Sequence, residues 1–101
     1  MGTVCEAIRQ RRLLEFEYAG LHRVVAPYCH GIQLNGVESL RAVQVRGASR
    51  SRQFGSGKLW TMSKIVDARV LPESFTPDDP NYNPDDRAMR EIHCRVPRLA
   101  P

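Results

Sequence analysis

The side chains best suited to chemistry in this sequence are arginines in one acid-free stretch, residues 39–57. The stretch contains Arg41, Arg46, Arg50 and Arg52, with Phe54 beside them. The planar guanidinium binds phosphates and carboxylates through two parallel hydrogen bonds. Cations interleaved with aromatic rings are typical of grooves that bind single-stranded nucleic acid. A solvated loop whose arginines maintain solubility explains the same pattern, and both interpretations stay open here.

Cysteine and histidine occur as two adjacent pairs, Cys29-His30 and His93-Cys94. Neighbouring residues of a strand point to opposite faces, so each pair offers at most one ligand to a metal ion. Three widely spaced cysteines also provide no paired C-x-x-C motif and no disulfide framework. We therefore predict reduced thiols, no metal site and no cofactor.

Motifs of catalysis and nucleotide hydrolysis are missing from the sequence. No G-x-S-x-G elbow and no G-x-G-x-x-G loop occurs. The segment GASRSRQFGSGK lacks the P-loop spacing, because Leu59 follows Gly57-Lys58. The prediction is a non-enzymatic protein.

Length and composition indicate one small domain without a membrane partner. The chain has 101 residues, of which 42% are hydrophobic and 26% charged. No apolar run approaches the roughly 18–20 residues that span a bilayer, and the N-terminus becomes charged before a signal peptide could form. A cytoplasmic location is expected. Residues 1–70 carry eleven Lys/Arg and five Asp/Glu, so this part of the chain favours an anionic partner.

The pattern along the chain predicts a helix followed by five strands. Thr3-x-x-Glu6 fits a capping box, which places a helix over about 3–12 in an N-terminal segment 1–12. Strands with alternating or apolar character follow within 13–71, at about 14–18, 22–30, 40–47, 58–62 and 65–71. Pro27 should bend the second strand or place it at an edge.

Turns connect these strands at hairpin distance. Ala19-Gly20 and Ser63-Lys64 mark tight turns, and Asn35-Gly36 predicts a type I′ hairpin. Residues 47–57 predict a mobile loop. The fold class is therefore mainly β: a small, strongly bent antiparallel barrel of the SH3 or Sm kind.

The last segment, 72–101, is rich in proline and aspartate. Phe75 and Tyr82 favour a tail that wraps around the barrel rather than one that is disordered. Asn83-Pro84 followed by two aspartates predicts a helical turn at about 84–90. Ile92, Cys94 and Val96 alternate with polar residues, which indicates a sixth strand at an edge.

Taken together, three segments resemble the WYL domain, a bacterial Sm-like barrel commonly attached to a helix-turn-helix or winged-helix DNA-binding domain. The segments are AIRQRRLLEFEYAGLHRVVAPYCHGI, ESLRAVQVRG and KLWTMSKIVDARVLPESF. The match spans about 7–96, and the tail YNPDDRAMREIHCRV is similar to that of stand-alone WYL-like proteins. The family's Trp-Tyr-Leu triplet falls on Glu38-Ser39-Leu40. Its basic segment falls on 58–65, where two cations remain.

The resemblance implies a bacterial regulatory module with a basic pocket for an anionic ligand, either single-stranded nucleic acid or a nucleotide. With no helix-turn-helix segment in this sequence, we do not expect a typical WYL transcription factor. The expected ligand-binding residues are Arg23, Tyr28, Arg41, Arg46, Lys58, Trp60 and Lys64, with Tyr28 and Trp60 as stacking groups. Trp60 is also a natural core residue in an alternating strand. The alternative is a structural or protein-interaction module that forms a homodimer or docks a separately encoded partner.

Overall fold

The structure is a computed structural model that describes residues 2–47, 57–79 and 82–96. Over these ranges the elements are one helix, six strands and one 3-10 turn at Met62–Lys64. They are α1 (Gly2–Gln10), β1 (Arg12–Tyr18), β2 (Leu21–Gln33), β3 (Glu38–Gly47), β4 (Lys58–Thr61), β5 (Val66–Ser74) and β6 (Met89–Arg95). In the described ranges, no helix has the length and apolar character needed to cross a membrane.

Helix α1 packs on the sheet through one apolar face. Val4, Ala7 and Ile8 are buried, at the spacing that places them on one side of a helix. The helix begins at Gly2, so Thr3 is a helical residue rather than the predicted cap. It ends before Arg11, whose φ of 54° turns the chain into β1.

The strands form one antiparallel sheet with the order β4-β3-β2-β1-β5. The long central strand β2 changes partner along its length: Val25 pairs with β1, whereas Cys29 pairs with β6. Pro27 lies between these two regions, next to a register shift against β3. Proline has no N–H to donate, so a strand can change partner there without losing a donor. Strand β2 is not an edge strand at Pro27, which pairs with Ala42 of β3, and what the structure shows after Pro27 is the shift in register.

The sheet curls so strongly that its distant strands meet. Strands β1 and β4 are three strand spacings apart, which is about 14 Å in a flat sheet. The rings of Tyr18 on β1 and Trp60 on β4 nevertheless have centroids 5.0 Å apart. Phe16 and Trp60 are buried inside this curve. A mainly β, antiparallel fold is confirmed, but within the described residues the two edge strands β4 and β5 do not pair, and the sheet is open.

Two of the predicted turns form hairpins of different geometry. Ala19 and Gly20 both have positive φ, of 54° and 76°, as a two-residue type I′ turn requires. At the second hairpin the type I′ prediction is wrong, because Gly36 has a positive φ of 87° but Asn35 does not. Gly36 N–H donates to Gln33 O and Gln33 N–H to Val37 O, which makes a three-residue loop closed by a glycine bulge.

The predicted helical turn at 84–90 is wrong. Residues 84–88 form turns, and β6 begins at Met89. The Asp85 N–H donates to Asn83 Oδ1, and the Ala88 N–H donates to Asp86 Oδ1, both at 3.0 Å. These short side-chain turns satisfy the amides locally and compete with a helix. The predicted sixth strand is confirmed, and the predicted loop residues 48–56 lie outside the described ranges.

The prediction of reduced thiols is also wrong for two of the three cysteines. Cys5 on α1 and Cys94 on β6 form a disulfide across 89 positions of sequence. Helix α1 packs against both β2 and β6, and this packing brings the two cysteines together. Cys29 is a buried free thiol, whose pKa is raised by burial to about 11.

Candidate ligand-binding site

Arg23 on β2 is a guanidinium enclosed by the curled sheet, with 6% of its surface exposed. Its Cζ lies 5.9 Å from the ring centroid of Tyr18 and 5.5 Å from that of Trp60. Nη1 donates to Gln44 Oε1 at 3.3 Å and Nη2 to Tyr18 O at 3.2 Å, but Nε has no partner. Among the ion pairs of the described residues, none includes Arg23. A permanent cation is therefore buried here, and the part of the chain that the structure describes pairs it with no opposite charge.

The aromatic rings next to Arg23 belong to the core. Trp60 packs edge-on against Phe16 and Tyr18, and its Nε1–H donates to Ala42 O at 3.2 Å. The Tyr18 hydroxyl accepts a hydrogen bond from the Thr61 N–H, which fixes β4 against β1. Trp60 therefore stabilises the curl of the sheet and offers its face to the Arg23 guanidinium.

Tyr28, the second predicted stacking residue, is buried in the middle of β2. Its ring lies 4.8 Å from that of Tyr82 and 5.5 Å from that of Phe75, measured between centroids. The tail is anchored to the sheet by these two rings. The Tyr28 hydroxyl accepts from the Asp79 N–H, and burial raises its pKa. Protein atoms thus cover both predicted stacking rings.

Arg41 on β3 forms a bidentate ion pair with Asp86 of the tail. Nε donates to Oδ2 at 2.8 Å and Nη2 to Oδ1 at 3.1 Å, and Asp86 is buried. Burial acts to raise the pKa of Asp86, but hydrogen bonds from Arg41 and the Ala88 N–H outweigh it, and the net pKa is lowered. The pair lines a cleft of about 200 Å³ with Tyr28, Asp79 and Tyr82. Because the cleft has two carboxylates and one guanidinium, its charge does not favour an anion.

Arg46, further along β3, pairs with Glu73 of β5 in the same bidentate geometry but in solvent. Nη1 donates to Oε2 at 2.9 Å and Nη2 to Oε1 at 2.5 Å, and both side chains are about half exposed. The hydrogen bond from Arg46 lowers the pKa of Glu73. The positive charge of Arg46 is therefore already paired with a carboxylate.

Lys58 on β4 and Lys64 in the 3-10 turn are exposed. In the part of the chain that the structure describes, neither forms an ion pair. Lys58 lies two positions before Trp60, and residues two apart share a face of a strand. Of the seven predicted residues, the structure thus places Arg23 against Trp60, places Tyr28 and Arg41 on one cleft, and leaves Arg46, Lys58 and Lys64 on the surface.

Glu38, at the start of β3, binds His30. The Glu38 Oε2 lies 2.7 Å from Nε2 of the buried His30. Burial lowers the pKa of His30, and Glu38 partly opposes this effect. Sequence reasoning missed this pair and the carboxylate partners of Arg41 and Arg46. The partners lie 8 positions apart for Glu38 and His30, 45 for Arg41 and Asp86, and 27 for Arg46 and Glu73, so no local pattern in the sequence indicates these pairs.

Comparison of the chain with family models, curated proteins and solved structures gives no match. The resemblance to the WYL domain therefore depends on the sequence motifs alone.

Proposed function

We propose that this protein is a non-enzymatic module that binds an anionic ligand, single-stranded nucleic acid or a nucleotide, in bacterial regulation. The observation that supports this function best is Arg23, a buried guanidinium without a carboxylate partner among the described residues. Arginine stays charged at every physiological pH, so it cannot lower the cost of burial by releasing its proton. An anion held near it supplies the missing opposite charge.

We also propose that the sheet is a strongly bent SH3/Sm-like barrel with Arg23 on its inner side. The curl of the sheet supports this part of the proposal. The edge strands β4 and β5 are joined by only the short turn at 62–64, which keeps the two ends of the sheet close. Lys58 on β4 and Lys64 in this turn are exposed, and among the described residues neither has an ion-pair partner. The phosphate backbone of a nucleic acid is attracted by such a group of cations in a salt-dependent manner.

The test is a titration with a fluorescent single-stranded oligonucleotide at about 50 and 200 mM salt, with a nucleotide as competitor. We expect saturable binding that weakens at least tenfold at the higher salt, and that weakens further in the variants Arg23→Gln and Lys64→Ala. Arg90→Gln is the matched control, because it removes one positive charge from an exposed position on β6, which pairs with the other half of β2.

Circular dichroism establishes that each variant is folded, and Arg23→Lys preserves the charge if Arg23→Gln unfolds. Equal weakening by Arg23→Gln and Arg90→Gln would show that only net charge matters, and would overturn the assignment to Arg23. No binding at the lower salt would overturn the nucleic-acid function.

A second function, a protein-interaction module that forms a homodimer or docks a separately encoded partner, is favoured by the open sheet. In the described ranges β4 and β5 each pair on one side only, and Val66 at the start of β5 is 50% exposed. Edge strands with exposed apolar residues pair readily with other chains. Sedimentation over a range of concentrations tests the homodimer. A dimer that Val66→Lys abolishes supports it, and a monomer at all concentrations contradicts it.

A further inference from the structure

Three metal-ligating side chains meet where α1, β2 and β6 pack together. The Cys5 Sγ, the His30 Nδ1 and the Cys94 Sγ all lie within 4.8 Å of one another. Nδ1 is 3.5 Å from the Cys5 sulfur and 3.9 Å from the Cys94 sulfur. His30 and Cys94 are buried, and Cys5 is partly buried. The cluster lies along the second half of β2, whereas Arg23 lies in the first half, so it is independent of the proposed anion site.

The second nitrogen of His30 is held by a carboxylate. Nε2 lies 2.7 Å from Glu38 Oε2, so Nε2 carries the proton and donates a hydrogen bond to the carboxylate. The lone pair of Nδ1 then faces the two sulfurs. Metal-bound histidines commonly have this arrangement, in which a carboxylate fixes the orientation of the ring and makes its free nitrogen a better donor.

The spacing of the three donors fits a tetrahedral ion after one change. With Zn–S of about 2.3 Å and Zn–N of about 2.0 Å, tetrahedral geometry requires S···N separations of about 3.5 Å and an S···S separation of about 3.8 Å. The Cys5 S···N distance of 3.5 Å already has this value, and the Cys94 S···N distance of 3.9 Å is about 0.4 Å longer. The two sulfurs must separate from each other, and the Cys94 sulfur must move slightly towards Nδ1; opening the disulfide permits both movements.

We infer that, in the dithiol state, Cys5, His30 and Cys94 form a binding site for a zinc ion. A dithiol reductant gives two electrons and two protons to the Cys5–Cys94 bond and becomes a cyclic disulfide, and the protein gains two thiols. Zinc binding then releases those two protons, since the metal ligands are thiolates. Two sulfurs and one nitrogen suit zinc, and they leave one coordination position for water or an incoming ligand. Among the described residues, no fourth histidine, cysteine or carboxylate donor lies within 4.8 Å of all three ligand atoms.

The prediction of no metal site was based on adjacent Cys/His pairs, and that argument holds for each pair alone. It allowed one ligand from each pair, and the structure uses His30 from the first pair and Cys94 from the second. The third ligand comes from Cys5 on the helix, which the argument did not consider.

The test uses the full chain, reduced and then freed of reductant, titrated with Co²⁺ as a spectroscopic probe and with Zn²⁺ as competitor. We expect one equivalent of Co²⁺, thiolate-to-cobalt charge-transfer absorption, and loss of that absorption on adding Zn²⁺. Cys5→Ser, Cys94→Ser and His30→Gln should each lose the signal. Cys29→Ala is the matched control, because Cys29 is a buried cysteine outside the cluster, and it should retain the signal.

Glu38 provides a separate readout, as a positioning residue that does not touch the metal. Glu38→Gln should keep the cobalt spectrum but weaken Zn²⁺ binding by roughly 10–100-fold, the usual effect of losing such a partner.

Thermal unfolding covers the case in which the reduced protein is less well folded. Zn²⁺ should raise the Tm of the reduced protein, or restore its circular dichroism if reduction unfolds it, and it should do neither in Cys5→Ser. The inference is overturned if the reduced wild type binds no more Zn²⁺ than the Cys5→Ser/Cys94→Ser double variant, or if Zn²⁺ neither stabilises nor refolds it. Cys5 and Cys94 would then form a structural disulfide only.

Discussion

Replacing Asp86 with asparagine should destabilise the fold far more than any change at the similar surface pair. Asp86 is 8% exposed and accepts three hydrogen bonds, two from Arg41 and one from the Ala88 N–H. Asparagine has almost the same volume, but its amide nitrogen would face an Arg41 N–H, donor against donor. Arg41, whose side chain is 27% exposed, would then lack an opposite charge.

The expected cost follows from the burial of the pair. Removing one partner of a fully buried ion pair costs about 3–5 kcal/mol. The Arg41 side chain is 27% exposed, and Oδ1 of asparagine can still accept from Arg41 Nη2 and the Ala88 N–H, so we expect about 2–3 kcal/mol for Asp86→Asn. In a domain of about this size each 1 kcal/mol lowers the Tm by roughly 4–8 °C. The melting temperature at pH 7 should therefore fall on the order of 10–20 °C.

The pH dependence gives the prediction a second readout. The pKa of Asp86 is lowered in the folded protein, so its stabilising effect is complete above the unfolded pKa of about 3.9 and is lost as pH falls through the folded pKa. The difference in the free energy of unfolding between wild type and Asp86→Asn should be constant near neutral pH. It should shrink below about pH 4, where the wild type loses the charge that the variant lacks.

The assay is urea unfolding followed by Trp60 fluorescence and circular dichroism, repeated from pH 7 to pH 3. Glu73→Gln is the control, because Glu73 has the same bidentate contact with an arginine but lies in solvent. Exposed pairs contribute little to stability, so Glu73→Gln should leave the unfolding midpoint almost unchanged. Equal effects of the two substitutions, or a pH-independent difference for Asp86→Asn, would refute the argument from burial.

Three further predictions concern the packing around β2 and β6. Gly31→Ala should separate β6 from β2 and lower the Tm, because a Cβ at Gly31 would overlap the Glu91 carbonyl oxygen. Gly2→Ala is the control, because a Cβ at Gly2 meets nothing within 4 Å and the residue has no positive φ; equal melting curves would contradict the packing. Reducing the Cys5–Cys94 disulfide in metal-free buffer should lower the free energy of unfolding by about 4–5 kcal/mol, because the bond no longer closes a loop across 89 positions of the unfolded chain; a urea midpoint insensitive to reductant would contradict this. Cys29 should react with iodoacetamide at pH 8 only after unfolding, because burial raises its pKa to about 11, and rapid labelling of the folded protein would show it to be accessible.

Local patterns in the sequence predict the strands and the first hairpin well. The alternation from Leu14 to Tyr18 and the apolar run on both sides of Pro27 depend on which face of a strand is buried, which is a property of neighbouring residues. The prediction of a helical turn at 84–90 was wrong because the local pattern there fits two structures. Asn83 and Asp86 can cap a helix or close a short turn, and the choice was decided by the pairing of β6 with β2.

The candidate sites are harder to predict, because they depend on residues far apart in the chain. The sequence predicts Arg41 and Arg46 as ligand-binding residues, but it gives no sign of the carboxylates that pair with them, which lie 45 and 27 positions away on the tail and on β5. The curl of the sheet, which encloses Arg23, also has no signature in any one segment. The spacing of residues within a segment indicates which face of a strand a side chain lies on. Its ion-pair partner is known only once the segments are packed together.

Strand β6 has a consequence for aggregation. It covers the second half of β2 from Cys29 to Gln33, a stretch whose backbone would otherwise be open to any extended chain. Partial unfolding of the tail uncovers that stretch while the rest of the sheet stays paired. Such a species can recruit another molecule strand by strand, which is the first step of cross-β assembly. The hold of the tail on the sheet, through its aromatic anchors and the Arg41–Asp86 pair, therefore also protects the protein against self-association.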